Sequence, residues 1–145
     1  MRMAHDEKRS GRVAAGLMLT MAGFQAALAA GAPWGAAAYG GATSGTLDPG
    51  QRVASAVAVP VYLALATVAA GRIGSTTARR RVLRVLSLAM AAGAVLNVAS
   101  PSLVERVCWV PFCVVAAVAS WRAAPRPTST GAGLDVAAAA TGRLP

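Results

Sequence analysis

At 145 residues the chain is one domain by length; 56% of it is hydrophobic and only 13% charged, against roughly 25% charged in a typical soluble domain. With a mean hydropathy of +0.54, this composition excludes an ordinary soluble domain and makes a lipid bilayer the first partner. The net charge of +9 would signal nucleic acid in a soluble protein, but here the basic residues stand at the ends of apolar runs. Orientation in a bilayer accounts for them, and no nucleic-acid partner is expected.

A membrane-spanning helix needs roughly 20 mostly apolar residues, with about 17 tolerated. Residues 1–12, with Arg2, Lys8, Arg9 and Arg12, read as a short N-terminal segment, followed by a first span over about 13–30. Gly16, Thr20 and Gly23 allow another helix to approach that span closely. A competing reading treats the same stretch as a signal peptide, with A-L-A at 27–29 as the cleavage site, which leaves three spans. The apolar run is longer than most signal cores, and Asp6 and Glu7 interrupt the basic leader, so retention is the reading carried forward. Next comes GAPWGAAAYGGATSGTLDPGQR, whose six glycines and two prolines predict turns rather than a further helix.

Asp48-Pro49-Gly50-Gln51 is a helix start, with Asp as cap and Pro at the first helical position. It opens a second span over about 53–70. A third span covers about 83–99, with Arg84 reaching to the interface along its stem. The fourth, about 103–121, begins at Ser102-Leu103-Val104-Glu105, which has the form of a capping box. Pro60 and Pro111 lie inside spans two and four and each removes a backbone hydrogen bond. Cys108 and Cys113, about 500° apart on a helix, fall on different sides and read as apolar fillers. Residues 122–145 are rich in small and turn-forming types and predict a flexible cytoplasmic tail.

The expected architecture is therefore all-α, an integral membrane four-helix bundle with short loops. Five arginines lie between spans two and three, at 72, 79, 80, 81 and 84, and three more lie in the tail. The other two connections carry only Arg52 and Arg106, offset by Asp48 and Glu105. By the positive-inside rule both termini and the middle loop are cytoplasmic, in a cell-membrane protein. Helix faces rich in small residues also leave room for a helix-mediated oligomer.

Polar residues gather at one end of this bundle. Gln25, Ser55 and Asn97 lie in the halves of their spans near the first and third connections, and Asp48, Arg52, Ser100, Ser102, Glu105 and Arg106 lie at the helix ends there. Asp48 and Arg52, four apart, have the spacing of an ion pair. Asn97 needs a partner in an apolar interior, and Gln25 and Ser100 are the nearest in kind. Trp34 and Trp109 fall toward the same end, as an aromatic belt would have them. Glu105 sits beside Val107, Cys108 and Trp109, and a carboxylic acid in apolar surroundings can deliver a proton to an alkene, an epoxide or a leaving oxygen. Two roles thus stand open for Glu105, helix cap and proton donor. There is no phosphate-binding GK[ST] loop, no dinucleotide fingerprint in a strand–helix context and no Asp-rich diphosphate–magnesium motif. His5, the single histidine, lies outside the spans. No metal site and no cofactor are expected.

The motifs GAPWGAAAYGG (31–41), LDPGQRVAS (47–55) and NVASPSLVER (97–106) resemble those of small four-span membrane proteins of actinobacteria, most without an assigned function. Within that group the chain is similar, over roughly residues 12–122, to the small membrane-bound terpenoid cyclases of bacterial indole-sesquiterpenoid pathways. Those cyclases are proton-initiated. The resemblance therefore implies a membrane-embedded acid acting on a lipophilic small-molecule substrate, with Glu105 as the donor and Asp48 as the other carboxyl at that end. Trp34, Arg52, Asn97, Ser100 and Trp109 would then contact the substrate. Beside this enzyme reading stand a non-catalytic accessory or interaction protein, and a lipid-binding or transport protein.

Overall fold

The computed structural model describes residues 2–126. Four helices make the fold. They are α1 (Arg2–Ala30), α2 (Pro49–Ala69), α3 (Thr76–Val98) and α4, whose regular part, Val110–Ala123, follows a wide π-helical turn at Glu105–Trp109. Over His5–Ala30, Pro49–Ala69, Thr76–Val98 and Glu105–Ala123 they are long and apolar enough to cross a membrane. The described residues contain no strand. The chain is an all-α, multi-pass membrane four-helix bundle, as its apolar runs predict.

Two boundaries differ from expectation. α1 starts at Arg2 rather than at 13, so the expected separate N-terminal segment is the first part of a helix. The stretch MAHDEKR contains no proline or glycine and is mostly good helix formers, so nothing stops the helix at the first apolar residue. α3 begins at Thr76 rather than 83, capped by Ser75, whose Oγ accepts from the Ala78 N–H at 3.2 Å. The expected flexible tail lies, from residue 127 on, outside the described residues.

α1 packs between α2 and α4, and α4 between α1 and α3, whereas α2 and α3 touch far less. The half of the bundle nearest the termini is closed by small side chains, Ala14, Ala15, Ala66, Ala69, Ala116, Ala119 and Ala123, with Met18, Leu83 and Leu86 filling the spaces. Alanine lets helix backbones approach closely, which is how helices gain packing energy where lipid competes for apolar contact. Gly11 marks the closest approach, since a Cβ there would stand 2.7 Å from the Ala69 carbonyl oxygen. Polar groups in this half are few. Thr20 and Thr67 donate to their own helices, at Gly16 O (3.1 Å) and Ala64 O (2.7 Å), and Ser87 donates across to Ala117 O at 2.7 Å. Arg84 lies over the Trp121 ring, 3.3 Å from its centroid, a cation–π contact that sheathes its charge.

The other half is capped by residues 31–48. Two single-turn 3-10 segments, Gly35–Ala37 and Tyr39–Gly41, fold this connection back over the helix ends, where Ala38 and Leu47 pack on Leu28 and Phe24. Asp48 caps α2 as expected, its Oδ1 accepting from the Gln51 N–H at 2.9 Å. The expected Asp48–Arg52 pair is not made. Arg52 instead donates through Nε to Ala29 O at 3.0 Å, where a cation meets the partial negative charge of the α1 C-terminus.

Candidate functional site

The polar stretch between α3 and α4 is built around one carboxyl. Glu105 is 5% exposed, and both of its oxygens accept hydrogen bonds. Oε2 receives the Ser100 hydroxyl at 2.6 Å, and Oε1 receives the backbone N–H of Gly40, 65 residues earlier, at 2.9 Å. Only half of the expected capping box forms. The Glu105 N–H reaches Ser102 Oγ at 3.3 Å, but the Ser102 N–H is taken by Ser100 Oγ at 3.1 Å instead of by Glu105. The carboxyl is thereby free to hold the first connection. Arg106 points outward, exposed, and does not face it.

Gly40 can offer its N–H because the chain reverses through three left-handed residues, Tyr39 (φ 52), Gly40 (φ 79) and Gly41 (φ 67). Tyr39 is the one non-glycine among the described residues with positive φ, a conformation costing roughly 1–2 kcal/mol. Its hydroxyl anchors it on α2, within 3.2 Å of Gln51 O and 3.1 Å of Ser55 Oγ. Gly41 lets the turn lie directly on α4, since a Cβ there would lie 2.6 Å from Ser102 Cβ. Two further bonds fasten the connection to α4. Ser102 Oγ donates to Ala36 O at 2.8 Å, and Trp109 Nε1 donates to Ala37 O at 2.7 Å. These bonds satisfy loop carbonyls where, near lipid, an unpaired one costs several kcal/mol.

Beneath this cap lies a cavity of about 280 Å³ to which all four helices contribute, with Glu105 on its wall. Binding sites for small molecules start at roughly 300 Å³, so it suits one small ligand or the end of a longer one. Three aromatic rings form its apolar side. Trp109 meets Phe24 edge-on at 4.7 Å and Phe112 edge-on at 5.5 Å between centroids. Asn97 faces inward, donating to Gly93 O at 2.9 Å and toward Cys113 Sγ at 3.8 Å, rather than to Gln25 or Ser100. Its own helix and the thiol already supply partners, so neither expected contact is needed. Gln25 and Tyr62 complete the polar part of the lining.

The structure thus brings Glu105, Asn97 and Trp109 onto one cavity, with Ser100 behind the carboxyl. Trp34 stands outside and stacks on Phe24 at 6.0 Å. Trp109, half-buried, forms part of the cavity wall. Asp48 is an exposed cap, and Arg52 a cap on α1; neither lines the cavity. Sequence reasoning missed Phe24, Tyr39, Tyr62 and Phe112. A signal for part of this existed, because 105, 109, 112 and 113 recur at the i, i+4, i+7, i+8 spacing of one helix face, and 90, 93 and 97 at the i, i+3, i+7 spacing of another. Tyr39 had no such signal, since its position depends on turn geometry. Cys108 is exposed and Cys113 buried, as their spacing predicts. Among the described residues no three His, Cys, Asp or Glu side chains stand together as a metal site would need.

Chemically, the chamber can hold a lipophilic molecule against aromatic faces, hydrogen-bond one polar group, and bring a single carboxyl to it. Comparison with protein-family models, with curated proteins and with solved structures gives no match.

Proposed function

We propose that this protein is a membrane-embedded, acid-catalysed cyclase or isomerase of a lipophilic, terpenoid-like substrate, with Glu105 as the proton donor. The observation that carries the reading is a buried carboxyl on the wall of an aromatic cavity between membrane-spanning helices. Hydrogen bonds from Gly40 and Ser100 fix the carboxyl's orientation, as a catalytic acid requires. Protonation of an alkene forms a C–H bond and leaves a carbocation. The faces of Trp109, Phe24 and Phe112 stabilise a cation by their quadrupoles and keep water away. Ring closure moves the charge, and loss of a proton from carbon to the Glu105 carboxylate restores the acid. The sum is an isomerisation, which needs no cofactor.

Access follows from the packing. α2 and α3 are the least closely joined neighbours, so a long apolar substrate enters from lipid between them and puts only its reacting end into the cavity. α1 supplies Phe24 and Gln25, which favours its retention over cleavage as a signal peptide. The arginines of the middle loop and the termini give an orientation with both termini cytoplasmic, so the cavity belongs to the outer half of the membrane.

The test is turnover of sesquiterpenoid-length linear polyenes, in which only an alkene can take the proton, by membranes containing the protein in D2O. Product with a single carbon-bound deuterium is expected, because the added proton comes from an exchangeable acid. Product without deuterium rules out proton-initiated chemistry.

One observation favours a second reading. Both oxygens of Glu105 are occupied within the fold, which suits a brace in a non-catalytic accessory protein whose cavity only binds a lipophile. Saturable binding of these polyenes with no product would support it.

A further inference from the structure

A second concavity, of about 750 Å³, lies at the opposite end of the bundle, where α1 and α4 diverge near the termini. Nothing in the proposed chemistry uses it. Its walls are ordered by depth. Arg9 on α1 and Arg122 on α4 both line it, and each stands four residues from a valine on the same helix, Val13 and Val118. Four residues are about 6 Å of helix, so on both walls a guanidinium lies one turn outside an apolar side chain. Val114, one turn deeper on α4, continues the apolar floor, and all three valines are between 43% and 48% exposed. Asp6 and Glu7 line the groove beyond Arg9, about 3–5 Å further out along α1. Among the described residues Asp6, Glu7, Arg9 and Arg122 make no ion pair with one another, while Arg126, which also lines the groove, is engaged elsewhere.

From lipid outward the walls formed by α1 and α4 therefore present valines, then two guanidiniums, then two carboxylates, and Arg126, beyond the end of α4, adds a third guanidinium to the lining. A phospholipid with a primary ammonium group carries the complementary sequence of acyl chain, phosphate and cation along the same axis. We propose that this groove is a binding site for phosphatidylethanolamine. The chains lie on Val13, Val114 and Val118, the phosphate between Arg9 and Arg122, and the ammonium donates to Asp6 and Glu7. Arginine suits the phosphate because its planar fork donates two parallel hydrogen bonds. The outer carboxylates select the headgroup. Phosphatidylglycerol brings no cation to them, and phosphatidylcholine brings a quaternary ammonium with no N–H to donate.

The experiment uses the full chain in lipid–detergent micelles with equal amounts of phosphatidylethanolamine, phosphatidylcholine and phosphatidylglycerol, and counts retained lipid by native mass spectrometry. The native chain should retain phosphatidylethanolamine about two- to fivefold over each of the others, the size expected of an exposed ion pair. Asp6→Asn with Glu7→Gln should remove that preference while leaving phospholipid bound. Arg9→Gln with Arg122→Gln should lower retention of all three lipids. Helix content by circular dichroism, unchanged in both double variants, separates these outcomes from misfolding. Equal retention of the three lipids by the native chain overturns the proposal, as does a preference that survives Asp6→Asn with Glu7→Gln. Retention of phosphatidylglycerol alone would make the groove a simple anion site and overturn it as well.

Discussion

Replacing Gly41 by alanine tests whether residues 31–48 are seated on α4 as described. Gly41 and Gly40 both have positive φ, at 67° and 79°, so an alanine at either pays about 1–2 kcal/mol for the left-handed backbone. They differ in surroundings. A Cβ at 40 meets nothing within 4 Å, whereas one at 41 would lie 2.6 Å from Ser102 Cβ, 2.9 Å from its Oγ and 3.1 Å from Ala36 O. To make room, the turn must lift from α4. That lengthens the 2.8 Å bond from Ser102 to Ala36 O and draws the Gly40 N–H from its 2.9 Å contact with Glu105. Each of these bonds contributes about 0.5–1.5 kcal/mol. Gly41→Ala should therefore cost about 2–5 kcal/mol in all, and Gly40→Ala only about 1–2. Reversible unfolding in mixed detergent micelles, followed by tryptophan fluorescence, measures both variants on one scale. Equal losses would refute the seating of the turn against Ser102.

Two further outcomes follow from the same geometry. Trp109→Phe keeps a ring against Phe24 and Phe112 but deletes the 2.7 Å, part-buried bond to Ala37 O, so it should cost about 0.5–1.5 kcal/mol; no loss in the unfolding assay would mean that water satisfies that carbonyl. Reporter fusions after Trp121 should read cytoplasmic and insertions near Gly45 external, and an external C-terminus would overturn the orientation drawn from the arginines.

The features legible in the sequence are those set by neighbours along the chain. Four spans follow from apolar length, and Asp48 caps α2 through Gln51 because both partners lie within one turn. The same reasoning gave half of the answer at Ser102 and Glu105. It found the bond from the Glu105 N–H, but not the use of the side chain, because the donor that captured the carboxyl is Gly40. A glycine turn has no periodicity from which its contacts could be read, and its direction is set by three positive φ values in a row. Arg52 likewise has the spacing to pair with its neighbour Asp48 but donates to Ala29 O instead, since folding brings the α1 C-terminus within its reach. The cavity was legible only as a gathering of polar residues at one end. Its aromatic wall joins Phe24 to Trp109 and Phe112, and that meeting depends on α1 lying beside α4.

If Glu105 gives a proton to a molecule in the cavity, Glu105→Gln must all but abolish the reaction without unfolding the protein. Glutamine keeps the size of the side chain, and its carbonyl oxygen can still accept the Gly40 N–H, but its amide has no acidic proton. Turnover of the polyene substrates and stability should be measured in the same preparations. Turnover should fall about 10²–10⁴-fold in a protein that inserts normally and loses no more than about 1–3 kcal/mol. Unchanged turnover in a stable Glu105→Gln would contradict proton donation by Glu105 and leave the carboxyl as a brace between α4 and the turn at Gly40.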